Sequence, residues 1–265
     1  NFLFNQFGML ERCALRDGNV HSADGWRDVL DPVIACYAGR NLGGRFFRAD
    51  AAYVIPALYE GLEEAGYFYA IRMKKNAVLE GCIAHRLTQP VGRPSDTKVK
   101  WFYEDFQYKA QSWDKLRGVI AKIEWHPGEL FPRVGFVVTK LPMEPDEVTR
   151  YYNRRGTVEQ QIKEGKYAFR WTRLSCKKFR DNEARPELHA LAYNLATVLC
   201  CIKLSEAMAD WSLTRLQLKL IKFGARVVRH ARAITFQLAG VAVTGPMVCA
   251  ILTAVRRLRA PPICA

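Results

Sequence analysis

The stretch from Arg45 to Arg72 constrains the fold more than any other. Arg45 to Ala49 reads as a short strand that ends at Asp50. Pro56 to Ala65 reads as a helix with Leu58, Tyr59, Leu62 and Ala65 facing inward, and Gly66 stands at its C-terminal cap. Tyr67 to Arg72 is the next strand. Two strands joined through one helix pair in parallel, and the sheet they start needs helices to cover it. Upstream, Phe2 to Phe7 alternates into Gly8, and Glu11 to Leu15 follows as the second arm of a hairpin before the Asp17-Gly18 turn. Ser22, Ala23 and Asp24 form a helix start. Trp26, Val29, Leu30, Val33, Ile34 and Tyr37 then share one face, with Gly39 near its stop. Residues 1–75 therefore read β-β-α-β-α-β, the opening of an α/β chain.

Residues 76–143 change character. Trp101 to Tyr108, Val119 to Trp125 and Val134 to Leu141 are rich in aromatic and β-branched residues, and no helix is expected between them. They read as an antiparallel β insertion. Gln89 to Ser95 reads as a mobile loop. Further on, Pro186 to Met208 is one long apolar helix, and Trp211-Ser212 leads into Leu213 to Ile221. Ala225 to Arg229 and Ala233 to Leu238 make a hairpin across His230-Ala231-Arg232, and a last helix covers Pro246 to Leu258. The divisions are 1–75, 76–143, 144–209 and a basic C-terminal region, 210–265.

One more helix carries chemistry. Pro145 and Asp146 start it, and Val148, Tyr151, Val158 and Ile162 give it an apolar stripe. Tyr152, Arg155, Glu159 and Lys166 are separated by three, four and seven residues. A 3.6-residue period places all four within about 60° of one another. A phenol, two cations and a carboxylate then point one way. They are either a solvated face or the equipment of a phosphodiester enzyme, which needs a carboxylate for a metal and cations for phosphate oxygens. Gly156 and Gly165 each cost such a helix about 1 kcal/mol relative to Ala. Gly165 is a candidate stop and Gly156 a candidate for close backbone approach. Asp50, at a rigid strand end, is either a metal ligand or a turn residue.

The spacing Tyr-x2-Arg-x3-Glu-x6-Lys, read as Tyr152, Arg155, Glu159 and Lys166, resembles the signature of a large group of bacterial insertion-sequence transposases of the DDE type. The likeness covers most of the chain. Phe46-Phe47-Arg48-Ala49-Asp50-Ala51-Ala52 looks like the segment of that group's second catalytic Asp. Trp171 to Cys176 and Leu188 to Leu195 look like the segments after its catalytic helix. The resemblance implies a ribonuclease-H-like core, a mixed sheet flanked by helices, interrupted by the β insertion and followed by a helical C-terminal region. It implies metal-dependent cleavage and strand transfer at insertion-sequence ends, with Asp50 and Glu159 as catalytic residues and ligands of a two-ion Mg²⁺ or Mn²⁺ site. Tyr152, Arg155 and Lys166 would position phosphates of double-stranded DNA, both transposon end and target, in a complex that a homodimer can form. The group's further Asp lies on a first strand, and none is found: Asp17 is at a turn, and Asp24, Asp28 and Asp31 are at or in a helix. That strand would precede Asn1, so the chain reads as a C-terminal fragment. The alternative reading is a catalytically inactive DNA-binding remnant.

Charge points the same way. Forty Lys and Arg against 26 Asp and Glu leave a net charge of +14, which favours a polyanion. The basic run Lys219, Lys222, Arg226, Arg229, His230 and Arg232, with Arg256, Arg257 and Arg259 after it, is a solvated surface or a DNA-backbone track. No run of about 20 apolar residues suggests a membrane span. Eight cysteines include no Cys-x-x-Cys pair, and Cys200 and Cys201 read as buried thiols. With no signal peptide, the expected setting is a reducing cytoplasm, on the nucleoid. Trp101, Trp113 and Trp125 are core residues or base-stacking platforms, and His21 is a structural or a rim residue.

Overall fold

The computed structural model describes residues 1–88, 98–201, 211–222, 224–231, 233–238 and 244–258. The loop at 89–95, the end of the long helix toward Met208, and Arg232, Arg259 and Cys264 lie outside the described residues. The chain forms two compact units. One comprises residues 18–26 and 34–156; the other comprises 1–17, 27–33 and 157–265.

The first unit is built on a five-stranded mixed sheet of order β3-β4-β7-β6-β5. Its strands are β3 (Phe46–Ala49), β4 (Phe68–Met73), β5 (Lys100–Tyr108), β6 (Arg117–Trp125) and β7 (Arg133–Thr139). β3 and β4 are joined through helix α2 (Pro56–Glu64) and pair in parallel, as the β-α-β pattern requires. Gly66, at φ +73°, makes the left-handed exit from α2. The later three strands are antiparallel to one another, and β7 pairs with β4. The β-rich stretch thus extends the same sheet as β3 and β4. Two short helices, α3 (Ala77–Cys82) and α4 (Ala84–Leu87), precede it where none was expected. Asn76 explains the first of them, because its side-chain oxygen accepts the Leu79 N–H and caps it.

Strand alternation divides the first unit's apolar residues between two faces. Tyr69, Ile71, Val119, Ala121 and Ile123 are buried with Leu58, Tyr59 and Leu62 of α2. On the other face Ala70, Ile120 and Val137 pack against Val148 and Tyr152 of helix α5 (Pro145–Asn153). Trp113 and Trp125 are core residues; Trp101 is exposed, with Lys122 Nζ 4.0 Å above its ring.

The second unit gathers β1 (Phe2–Phe4) and β2 (Leu10–Cys13), an antiparallel hairpin, against helix α7 (Phe179–Cys201). Asn194 clamps Leu10 at both its N–H and its carbonyl, each at 2.8 Å. Tyr193 donates to the Gly8 carbonyl. Trp171 stacks on Phe2 and lies beside Tyr193 at the centre of this core. α7 starts at Phe179 rather than at Pro186. A proline inside a helix removes one donor, and Pro186 comes early enough that only the first turns feel it. Cys200 and Cys201 are exposed, which corrects the expectation of buried thiols. They lie on a helix whose Leu188, Leu191 and Leu195 also face outward, so apolar composition misled there. Leu213 to Ile221 divides into a short helix, Leu213–Leu216, and a π-helical turn, Gln217–Ile221. The hairpin of Ala225–His230 with Ala233–Leu238 and the last helix, Gly245–Arg257, follow as expected.

Candidate active site

The helix expected to carry four functional residues on one line is not continuous. α5 ends at Asn153, Arg154 and Arg155 turn, and a new helix, α6 (Gly156–Glu164), begins. A π-helical turn, Gly165–Phe169, follows α6 directly. Tyr152 therefore lies in the last turn of α5, Arg155 in the break, Glu159 on α6 and Lys166 in the π turn. The physical reason lies in the two glycines. Gly156 lowers helix propensity at the break, and a β-carbon there would meet nothing within 4 Å, so close approach is not its role. At Gly165 a β-carbon would sit 2.2 Å from the Trp171 ring, so Trp171 packs directly on the backbone where the regular helix stops.

Within the first unit, three of the expected residues come together. Asp50 follows β3 and caps a 3-10 turn, Ala51–Tyr53, by accepting the Ala52 N–H at 3.0 Å through Oδ1. Its Oδ2 accepts from Arg155 Nη2 at 3.3 Å. The two side chains are 44% and 28% exposed, and a pair so open to solvent contributes about 0–1 kcal/mol. Its value is positional: it holds a guanidinium beside the carboxylate. Tyr152 is buried, with its phenol oxygen against the Arg155 side chain. Burial pushes the Tyr152 phenol up; the Arg155 and Arg72 charges pull the other way. Arg48, from β3, donates to the Tyr151 carbonyl at 2.8 Å and stacks over the Tyr151 ring at 4.7 Å. It fastens the end of α5 to the strand that delivers Asp50.

Glu159 and Lys166 belong to the second unit, both exposed. Their neighbour Glu164 has a structural task, accepting the Leu213 N–H at 3.0 Å. His21 is a turn residue whose Nδ1 accepts the Ala23 N–H, and Asp24 accepts the His21 N–H in return. Asp31 pairs with Arg27 on helix α1 (Trp26–Tyr37). Among the described residues no three metal-ligating side chains cluster. Asp50 Oδ1 and Oδ2 each accept one hydrogen bond from the chain itself, and each oxygen keeps a lone pair.

Sequence reasoning missed a second group of residues at this end of the sheet: Arg72, Lys122, Glu124 and Arg133. The signal was present, because Arg72 interrupts the otherwise apolar strand Phe68–Met73.

A mixed sheet with helices on both faces and an acidic strand end beside an arginine is the frame of a polynucleotidyl-transferase domain. The chain belongs to the transposase DDE domain group 1 family, whose model matches residues 2–260. No curated protein matches the chain. No helix among the described residues is long and apolar enough to cross a membrane.

Proposed function

We propose that this transposase-family chain serves metal-dependent DNA strand cleavage and strand transfer at insertion-sequence ends. The observation that carries the reading is the Asp50–Arg155 contact at the sheet end, where a carboxylate and a guanidinium lie side by side. Asp50 and Glu159 are the carboxylates assigned to Mg²⁺ or Mn²⁺. Such ions would activate the attacking oxygen and steady the leaving one. Arg155 offers a planar fork to a phosphate, Lys166 a point charge and Tyr152 a neutral donor. A homodimer on DNA in the cytoplasm is the setting this reading takes.

A third carboxylate is needed to hold two ions; of the four candidates, Asp24 and Asp31 are engaged in turn and helix contacts, Asp28 lies in the first turn of α1 and Asp17 beside a turn, none at a strand end. The purified chain, given Mg²⁺ or Mn²⁺ and DNA carrying the element's ends, is therefore expected to bind without nicking. Specific nicking that disappears on Asp50→Ala would show that the chain holds a complete site. In a version that carries the further Asp, Glu159→Gln should abolish cleavage and keep DNA binding; near-normal cleavage by that variant would sink the assignment. The second reading, an inactive DNA-binding remnant, is favoured by the Arg155 guanidinium beside Asp50 Oδ2, a cation where a metal ion would stand. It predicts no cleavage even when the further Asp is supplied.

A further inference from the structure

On the face of the sheet that α5 covers, the residues change character where the helix ends. Beneath α5 the sheet presents Ala70, Ile120 and Val137. One step further toward the strand ends, the same face carries Arg72, Lys122, Glu124 and Arg133. The register fixes this: Arg72 lies opposite Val137, Lys122 opposite Gly135, and Glu124 opposite Arg133. Opposed residues in an antiparallel pair share a face. Gly135 has no side chain to fill the space, and a β-carbon there would touch nothing within 4 Å. The result is a hollow of about 230 Å³, walled on the helix side by Thr149, Tyr152 and Asn153.

We infer that this hollow is an anion subsite that takes one phosphodiester of a nucleic-acid strand, held by Arg72 and Lys122 with the Tyr152 phenol as a neutral donor. The inference rests on the DNA reading above and adds residues to it.

Three observations support it. Tyr152 is buried at the wall of the hollow and brings a neutral O–H to it, with Arg155 beside its phenol oxygen. Arg72 is exposed and makes no ion pair among the described residues, unlike most cations around it. Lys122 and Arg133 face Glu124 and Glu129 respectively, so three cations against two carboxylates leave the hollow and its rim net positive.

Position supports it as well. β3 and β4 run in parallel with Ala49 beside Ile71, so Asp50 and Arg72 follow at the same level of neighbouring strands. The Arg72 and Asp50 charges both act on the Tyr152 phenol, and Arg155 reaches Asp50. A strand whose reacting phosphate lies at Asp50 would place an adjacent phosphate over the hollow.

The test is equilibrium binding of a fluorescein-labelled DNA duplex to the purified chain, without divalent ions, across a range of salt. Arg72→Ala should weaken binding about tenfold and reduce the salt slope by about one, while Arg72→Lys keeps the slope. Gly135→Leu fills the hollow without removing a charge. It should weaken binding while the thermal midpoint holds or rises, which separates loss of the subsite from misfolding. Wild-type affinity and slope in both Arg72→Ala and Gly135→Leu would overturn the subsite and leave the DNA reading intact. A wild-type chain that binds no DNA at any salt would overturn both.

Discussion

At the residue scale, the most constrained charge in the first unit is Arg117, whose side chain is 3% exposed. It donates to Glu63 at 3.1 Å and lies over the rings of Tyr59 and Trp113. Tyr69 donates to the same carboxylate, and Lys115 pairs with it. Burial alone would push Glu63 up, but hydrogen bonds from Lys115, Tyr69 and Arg117 outweigh it and hold the carboxyl below its usual range. A depressed carboxyl stabilises the fold fully above its unfolded pKa, about 4.3, and the contribution is lost as pH falls through the folded value. Urea midpoints should therefore drop as pH falls below about 4.3, and Glu63→Gln should flatten part of that drop. Glu63→Ala leaves a buried guanidinium without its carboxylate, a loss of about 3–5 kcal/mol at neutral pH. A change under about 1 kcal/mol would mean that Arg117 finds solvent or Glu60 instead.

At the element scale, the two glycines of the Tyr151 to Phe169 stretch separate local propensity from packing. Gly165→Ala drives a methyl into the Trp171 ring, which itself packs on Phe2 and Tyr193. It should destabilise by about 1–3 kcal/mol or more, read from the urea midpoint. Gly156→Ala meets open space and should stabilise by about 0.4–1 kcal/mol. Equal effects at the two positions would refute this division. The same stretch shows what the sequence revealed and what it withheld. The β-α-β core was legible, because α2's apolar face and the flanking strands have clear periods. The hairpins and most helices were legible for the same reason. Asp50 and Arg155 stood out in the sequence through their motifs, and their side chains lie 3.3 Å apart. The break at Arg154–Arg155 was not legible, since the apolar stripe runs on through it from Tyr151 to Val158. Only tertiary packing at Trp171 ends the regular helix at Gly165. The hollow was invisible for another reason: Gly135, Arg72 and Lys122 lie on three strands, and register alone brings them together.

At the scale of the whole molecule, the net charge of +14 is large for 265 residues and calls for a partner that uses it. The C-terminal hairpin carries part of that charge in the open. Arg226, Arg229 and His230 are exposed on its first strand, and Arg256 and Arg257 end the last helix in exposed positions. Among the described residues none of these arginines is tied into an ion pair, so each can exchange solvent for phosphate at little cost. Val227, Ile234 and Phe236 on the same hairpin are exposed too, so the surface is mixed rather than purely ionic. If the hairpin is a DNA-backbone track, each lost arginine removes about one released counterion. The wild-type chain should then lose about 10³–10⁵ in duplex affinity between about 50 and 200 mM salt, the range for six to ten phosphate contacts. Arg226→Ala with Arg229→Ala should make the slope shallower by about two and weaken binding at low salt, with the fold intact by circular dichroism. A slope unchanged in the double variant would make the hairpin a solvated surface and leave the polyanion contacts to the first unit. An affinity flat with salt in the wild type would remove the electrostatic case for a nucleic-acid partner altogether.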